Sequence, residues 1–154
     1  MLAQRLGLDF RDTDVVIEEL DGRGRRAGDI LTALGEPAFR MLEERALDLA
    51  LRPGRVVATG GGCVEHAGSR ARLAGARCVW LKAEPSLLAE RMRADPTPRP
   101  ALVSDDATDE VSELSSRRDP HYAELAAVAI EVGRDGPESI AEQIECELRR
   151  KGLH

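Results

Sequence analysis

The sequence predicts an α/β fold: three α/β/α layers in which a mostly parallel sheet carries helices on both faces. Three observations predict it. Short β-branched or apolar runs alternate with segments of helical period along the chain, the pattern of parallel strands joined by crossover helices. Cys78-Val79-Trp80-Leu81 is apolar without alternation, as expected of a strand buried on both faces. Val56-Val57-Ala58-Thr59 runs straight into Gly60-Gly61-Gly62, so side chains vanish where a strand ends. In open α/β sheets ligands bind just beyond the carboxyl ends of the strands.

Each element follows in order. Residues 1–7 read as the last turns of a helix closed by Gly7. Residues 8–12 alternate and read as a short strand, with Thr13 and Asp14 at its end. Residues 15–20 are helical and stop at Asp21-Gly22. Arg23-Gly24-Arg25-Arg26 is a basic connector, and 27–34 is a second helix ending at Gly35. Residues 36–51 form the strongest helix. Phe39, Leu42, Ala46, Leu49 and Ala50 recur at helical spacing and are expected on its buried face. Arg52-Pro53-Gly54 ends it before the strand at 56–59. Helices are expected at 65–74, closed by Gly75, and at 85–93, with Pro85 in the first turn. Residues 94–108 hold Pro96, Pro98 and Pro100 and read as an irregular lid segment. A helix at 109–118 is expected to stop before Asp119-Pro120. The last strand is 127–132, and 137–150 closes the chain with Ile140, Ile144 and Leu148 on one face.

The 154 residues suit one domain, 1–154, with one core. Aromatic residues are only 3% of the chain, so Leu, Val, Ile and Ala must build that core. A net charge of −6 argues against a nucleic-acid surface. Cys63, Cys78 and Cys146 form no CxxC pair and no metal spacing with the histidines, which points to free thiols in a reducing cytoplasm. No apolar run approaches the ~20 residues of a membrane helix, and no signal peptide is visible.

Several residues carry chemistry, each with a plain alternative. Gly60-Gly61-Gly62 is either a flexible turn or a bare backbone seat for a ligand. Asp12 and Asp14, two apart on an extended stretch, share a face. They either hold Mg²⁺ and accept a hydroxyl hydrogen bond, or form an Asx turn with Asp14 as helix cap. Arg40 has Glu43 and Glu44 at i+3 and i+4. It is either a surface ion pair or a guanidinium fixed by those glutamates and aimed at a carboxylate. Arg118 stands where it could face the same pocket. Arg99, between prolines, is either an exposed loop arginine or a mobile cation that covers phosphates.

Taken in order, Leu2-Ala3-x-x-Leu6-Gly7, Phe10-x-Asp12-Thr13-Asp14, Gly35-Glu36-x-x-Phe39-Arg40-x-x-Glu43, Ala58-Thr59-Gly60-Gly61-Gly62, Arg99-Pro100-x-Leu102 and Arg118-x-Pro120-x-Tyr122 resemble the shikimate kinase family. The resemblance runs from Leu2 to about Val132. It implies a P-loop fold of the nucleoside-monophosphate-kinase type and transfer of the ATP γ-phosphoryl to the 3-hydroxyl of shikimate, in aromatic amino-acid biosynthesis.

By position, it implies that Asp12 associates with Mg²⁺ and that Asp14 binds shikimate hydroxyls and acts as base. Arg40 and Arg118 would hold the shikimate carboxylate, with the ring along Gly60, Gly61 and Gly62. Arg99 would reach the ATP phosphates from the lid, and Arg91 would lie near adenine. ATP and Mg²⁺ are the implied cofactors, shikimate the partner, with neither nucleic acid nor membrane. A monomer is expected when the domain is intact.

Two departures stand out. Ala101 occupies a place where leucine is usual. The family also has a first strand and a phosphate loop, Gly-x-x-Gly-x-Gly-Lys-Ser/Thr, ahead of the helix that here contains Met1. Lys82 and Lys151 are the only lysines, and neither follows a glycine. The expectation is a domain without its first strand, inactive as a kinase. The alternative is a degenerate domain that binds a small carboxylate.

Overall fold

The structure is a computed structural model and describes residues 1–94 and 107–153. One to three helices separate successive strands: α1 (Leu2–Leu6), β1 (Asp9–Asp12), α2 (Thr13–Asp21), α3 (Ala27–Leu34), α4 (Glu36–Ala50), β2 (Arg55–Ala58), a 3₁₀ turn (Cys63–Glu65), α5 (Ala67–Leu73), β3 (Cys78–Lys82), α6 (Pro85–Ala94), α7 (Ala107–Leu125), β4 (Ala126–Glu131) and α8 (Pro137–Arg150). The expected lid and its Arg99 lie outside the described residues, apart from the ends of α6 and α7 that border it.

All strand pairing among the described residues is parallel. β1 pairs with β2, with Asp12 opposite Ala58, and β3 pairs with β4, with Leu81 opposite Ile130. Among the described residues these are two separate two-stranded sheets. β2 and β3 are therefore not hydrogen-bonded to each other. The continuous apolar run at β3 does not mean burial on both faces: Leu81 is 53% exposed. Every residue of β2 is only half-buried.

Helices tie the two sheets together. Gly7 takes a left-handed conformation (φ 66°) that lets the Leu8 N–H reach the Ala3 carbonyl at 2.9 Å and turns α1 into β1. α1 touches β1 and β2. Its Leu2 and Leu6 lie on the core of β4 and α8, built from Val128, Ile130, Ile144 and Leu148. A second core joins α2, α3 and α4 through Val16, Ile17, Ile30, Phe39 and Ala46. A third gathers Leu47, Cys63, Val64 and Leu73 around the turn that follows the glycines, with Tyr122 and Leu125 against it.

Several expectations are corrected. The buried face of α4 is Phe39, Glu43, Ala46, Leu47 and Ala50. Leu47 replaces Leu49, which is 46% exposed. α7 does not stop before Asp119; Pro120 lies inside it. Packing of Tyr122 and Leu125 against the third core outweighs the missing proline N–H. The helix expected over 65–74 is a 3₁₀ turn followed by α5 from Ala67.

Candidate functional site

The carboxyl ends of β1 and β2 lie side by side, and this brings Thr13, Asp14 and the triple glycine together. Thr13 is buried, and its Oγ1 accepts the Gly60 N–H at 3.2 Å. Asp12 and Asp14 do not share an extended face. Asp12 ends the strand and caps α2, its Oδ1 accepting the Asp14 N–H at 2.9 Å, while Asp14 lies in the helix's first turn. The cap is thus Asp12 rather than Asp14, because helical geometry begins at Thr13, two residues before the apolar pattern does.

None of Gly60, Gly61 and Gly62 has a positive φ, so conformation is not what requires glycine there. Space is. A Cβ on Gly60 would lie 3.0 Å from Glu43 Oε1 and 3.4 Å from Asp14 Oδ1. On Gly61 it would lie 3.2 Å from the Tyr122 hydroxyl, which donates to the Gly61 carbonyl at 2.6 Å. On Gly62 it would run into the Arg40 guanidinium, 2.7 Å from Cζ. The glycines are a floor on which two carboxylates, a phenol and a guanidinium converge.

Arg40 Nη1 donates to Glu43 Oε2 at 2.6 Å and Nη2 to Glu36 Oε1 at 2.7 Å. Glu43 therefore fixes Arg40 as expected, but Glu44 does not; it pairs with Arg72 at 2.7 Å. Arg118 reaches the same place from α7. Its Nε and Nη2 lie 2.9 and 2.8 Å from Glu65 Oε2, and Arg40 Nη2 lies 3.5 Å from that oxygen. Arg117 pairs with Glu65 Oε1 at 2.9 Å. Three guanidinium groups thus surround one carboxylate at the end of the glycine floor.

Electrostatics follow from this crowding. Burial pushes the Glu43 carboxyl above its usual range, against the opposing pull of Arg40. Burial acts the same way on Glu65, but the bond from Arg118 and the charges of Arg118, Arg117 and Arg40 outweigh it and hold that carboxyl below its usual range. Burial also disfavours the Arg40 charge, yet Glu43 and Glu36 more than compensate and raise its pKa. Burial raises the Cys63 thiol to about 11 and the Tyr122 phenol to about 12, so both are neutral donors near pH 7.

The structure brings together Asp14, Arg40, Gly60, Gly61, Gly62 and Arg118. Arg91 is engaged elsewhere: its Nη2 donates to the Gly133 carbonyl, beyond β4, at 2.6 Å. Glu65 and Arg117 were not singled out by sequence, and Thr13 was named only as part of the run from Asp12 to Asp14. The available signals were the position of Glu65 three residues past Gly62 and the tandem Arg117-Arg118. Among the described residues no group of three or more His, Cys, Asp or Glu is arranged to hold a metal. No described helix is long and apolar enough to cross a membrane.

Comparison with known proteins gives one answer. The family model for shikimate kinase matches residues 1–149. A shikimate kinase of Thermobifida fusca (strain YX) is 40% identical over 153 residues, 98% of this chain and 86% of that protein. One of Caulobacter vibrioides (strain NA1000 / CB15N) is 42% identical over 142 residues, 91% of this chain and 68% of that protein. Among solved structures, the shikimate kinase from Acinetobacter baumannii in complex with shikimate matches with a TM-score of 0.89 and 31% identity, over 99% of this chain and 85% of that one. The shikimate kinase from Aquifex aeolicus matches with a TM-score of 0.79 and 25% identity, over 99% and 88%. These neighbours support the α/β fold with parallel sheets read from the sequence.

Proposed function

The chain belongs to the shikimate kinase family, and from that premise we propose that its glycine floor binds shikimate, with Arg40 and Arg118 as a carboxylate clamp. One observation carries the reading: both arginines reach the same carboxylate oxygen, Glu65 Oε2, at the edge of the floor. Planar guanidinium groups converging on one carboxylate are suited to a carboxylate ligand. Glu43, 3% exposed, keeps Arg40 aimed along the floor. Asp14, beside Gly60, stands where it would accept a hydrogen bond from a ring hydroxyl and withdraw its proton.

The family's reaction, γ-phosphoryl transfer from ATP to the 3-hydroxyl of shikimate with Mg²⁺, sets what else is needed. Residues 1–154 contain no Gly-x-x-Gly-x-Gly-Lys-Ser/Thr. Asp12 commits Oδ1 to the helix cap, which leaves a second carboxylate oxygen for Mg²⁺, and Arg91 is bonded to Gly133. What these residues support is the shikimate-binding half of that reaction. Free thiols at Cys63, Cys78 and Cys146 favour a reducing compartment such as the cytoplasm.

Calorimetry tests the clamp. Shikimate should bind the 154-residue chain, and Arg40→Lys and Arg118→Lys should each weaken binding roughly tenfold or more, since the charge stays but the planar fork is lost. Unchanged affinity in both variants would remove the clamp.

A further inference from the structure

We propose that Glu65 is a tethered carboxylate that fills the anion seat of the clamp, so that shikimate must displace it, and that it thereby sets the affinity for the substrate carboxylate. The inference rests on the Arg40–Arg118 reading above and adds a residue to it.

Glu65 ends the 3₁₀ turn that follows Gly62, and its own N–H donates to the Gly62 carbonyl at 3.0 Å. A ligand lying along the glycines runs directly toward its side chain. Both carboxylate oxygens are engaged as a ligand's would be: Oε2 by Arg118 at 2.8 and 2.9 Å and by Arg40 at 3.5 Å, Oε1 by Arg117 at 2.9 Å. An incoming carboxylate competes for the same donors.

The two glutamates of the clamp differ in what they can do. Glu43 is 3% exposed and locked to Arg40 Nη1, so it is scaffold. The Glu65 side chain is 20% exposed, so a path to water is open to it. Arg117, 53% exposed, offers the displaced carboxylate a partner at the rim. The backbone anchor keeps Glu65 close, and a tethered competitor acts at an effective concentration of order millimolar. The apparent affinity for shikimate then falls by the fraction of clamps that Glu65 leaves open.

Titrating shikimate and its methyl ester into the full chain, Glu65→Ala and Glu65→Gln, each with a thermal melt, decides the matter. The expected result is a shikimate Kd lowered roughly 3- to 30-fold in Glu65→Ala and less in Glu65→Gln, which keeps an acceptor. The methyl ester, having no anionic carboxylate, should gain nothing. Should Glu65→Ala fail to fold, the glutamine variant decides alone. Unchanged or weaker shikimate binding in the folded variants, with Arg40→Lys still weakening the parent, overturns the role of Glu65 and leaves the clamp standing. An equal gain for the methyl ester overturns it too. Loss of the Arg40→Lys effect removes clamp and competitor together.

Discussion

At Gly62 a methyl group would meet the Arg40 guanidinium, 2.7 Å from Cζ, and that guanidinium has nowhere easy to go because Glu43 and Glu36 hold it. Gly62→Ala should therefore act on the ligand and on the fold together. The end of the Arg40 side chain swings off the floor at the cost of hydrogen bonds to charged groups, roughly 1.5–3 kcal/mol each. Shikimate affinity should fall at least tenfold, and the loss of both bonds should lower the melting temperature by roughly 6–24 °C at about 2–4 °C per kcal/mol. Parent-like affinity in calorimetry would mean that the arginine is free to move. Much of the site was legible at this scale, because glycines, Asp14, Arg40 and Arg118 belong to motifs of fixed spacing. Glu65 and Arg117 were not, since a glutamate after a turn and a second arginine look like ordinary surface residues until α7 and the turn are placed side by side.

At the scale of elements, the start of α2 separates two aspartates that sequence alone places on one face. Asp12 satisfies an otherwise unpaired N–H of the first turn. Asp12→Ala should cost about 1 kcal/mol of stability and leave shikimate affinity unchanged. Asp14→Asn should do the reverse, with an unchanged melt and weaker binding. Equal small effects of both on binding would reduce the pair to a turn and a cap. The same scale shows why some elements were read well and others not. α3 and α8 have clean apolar periods bounded by glycine, and their predicted ends match the structure. α4 was misread at Leu49, in place of Leu47, because its buried face includes Glu43, and a polar residue on an apolar stripe turns the apparent pattern toward Leu49. That break in patterning lies at the site, where it positions Arg40. Pro120 misled for the opposite reason: contacts remote in sequence carry α7 past it.

For the molecule as a whole, the two sheets are the decisive fact. β1–β2 and β3–β4 are each parallel pairs, and a pair of strands is marginal without neighbours. What joins them is side-chain packing: α1 against both halves, the stacking of Tyr122 on Trp80 at 5.7 Å, and the Tyr122 hydrogen bond to Gly61. Parallel strands were legible in the sequence, but the sheet's division was only arguable from the family resemblance. The half-exposed residues of β2 show that water reaches that strand. Tyr122 is the side chain that reaches both halves: it stacks on Trp80 of β3 and donates to the Gly61 carbonyl beyond β2. Tyr122→Phe keeps the ring and loses the hydrogen bond, so it should lower stability by about 1 kcal/mol, or about 2–4 °C in Tm for a domain of this size. An unchanged Tm in a thermal melt would show that the bond to Gly61 does not help to join the halves.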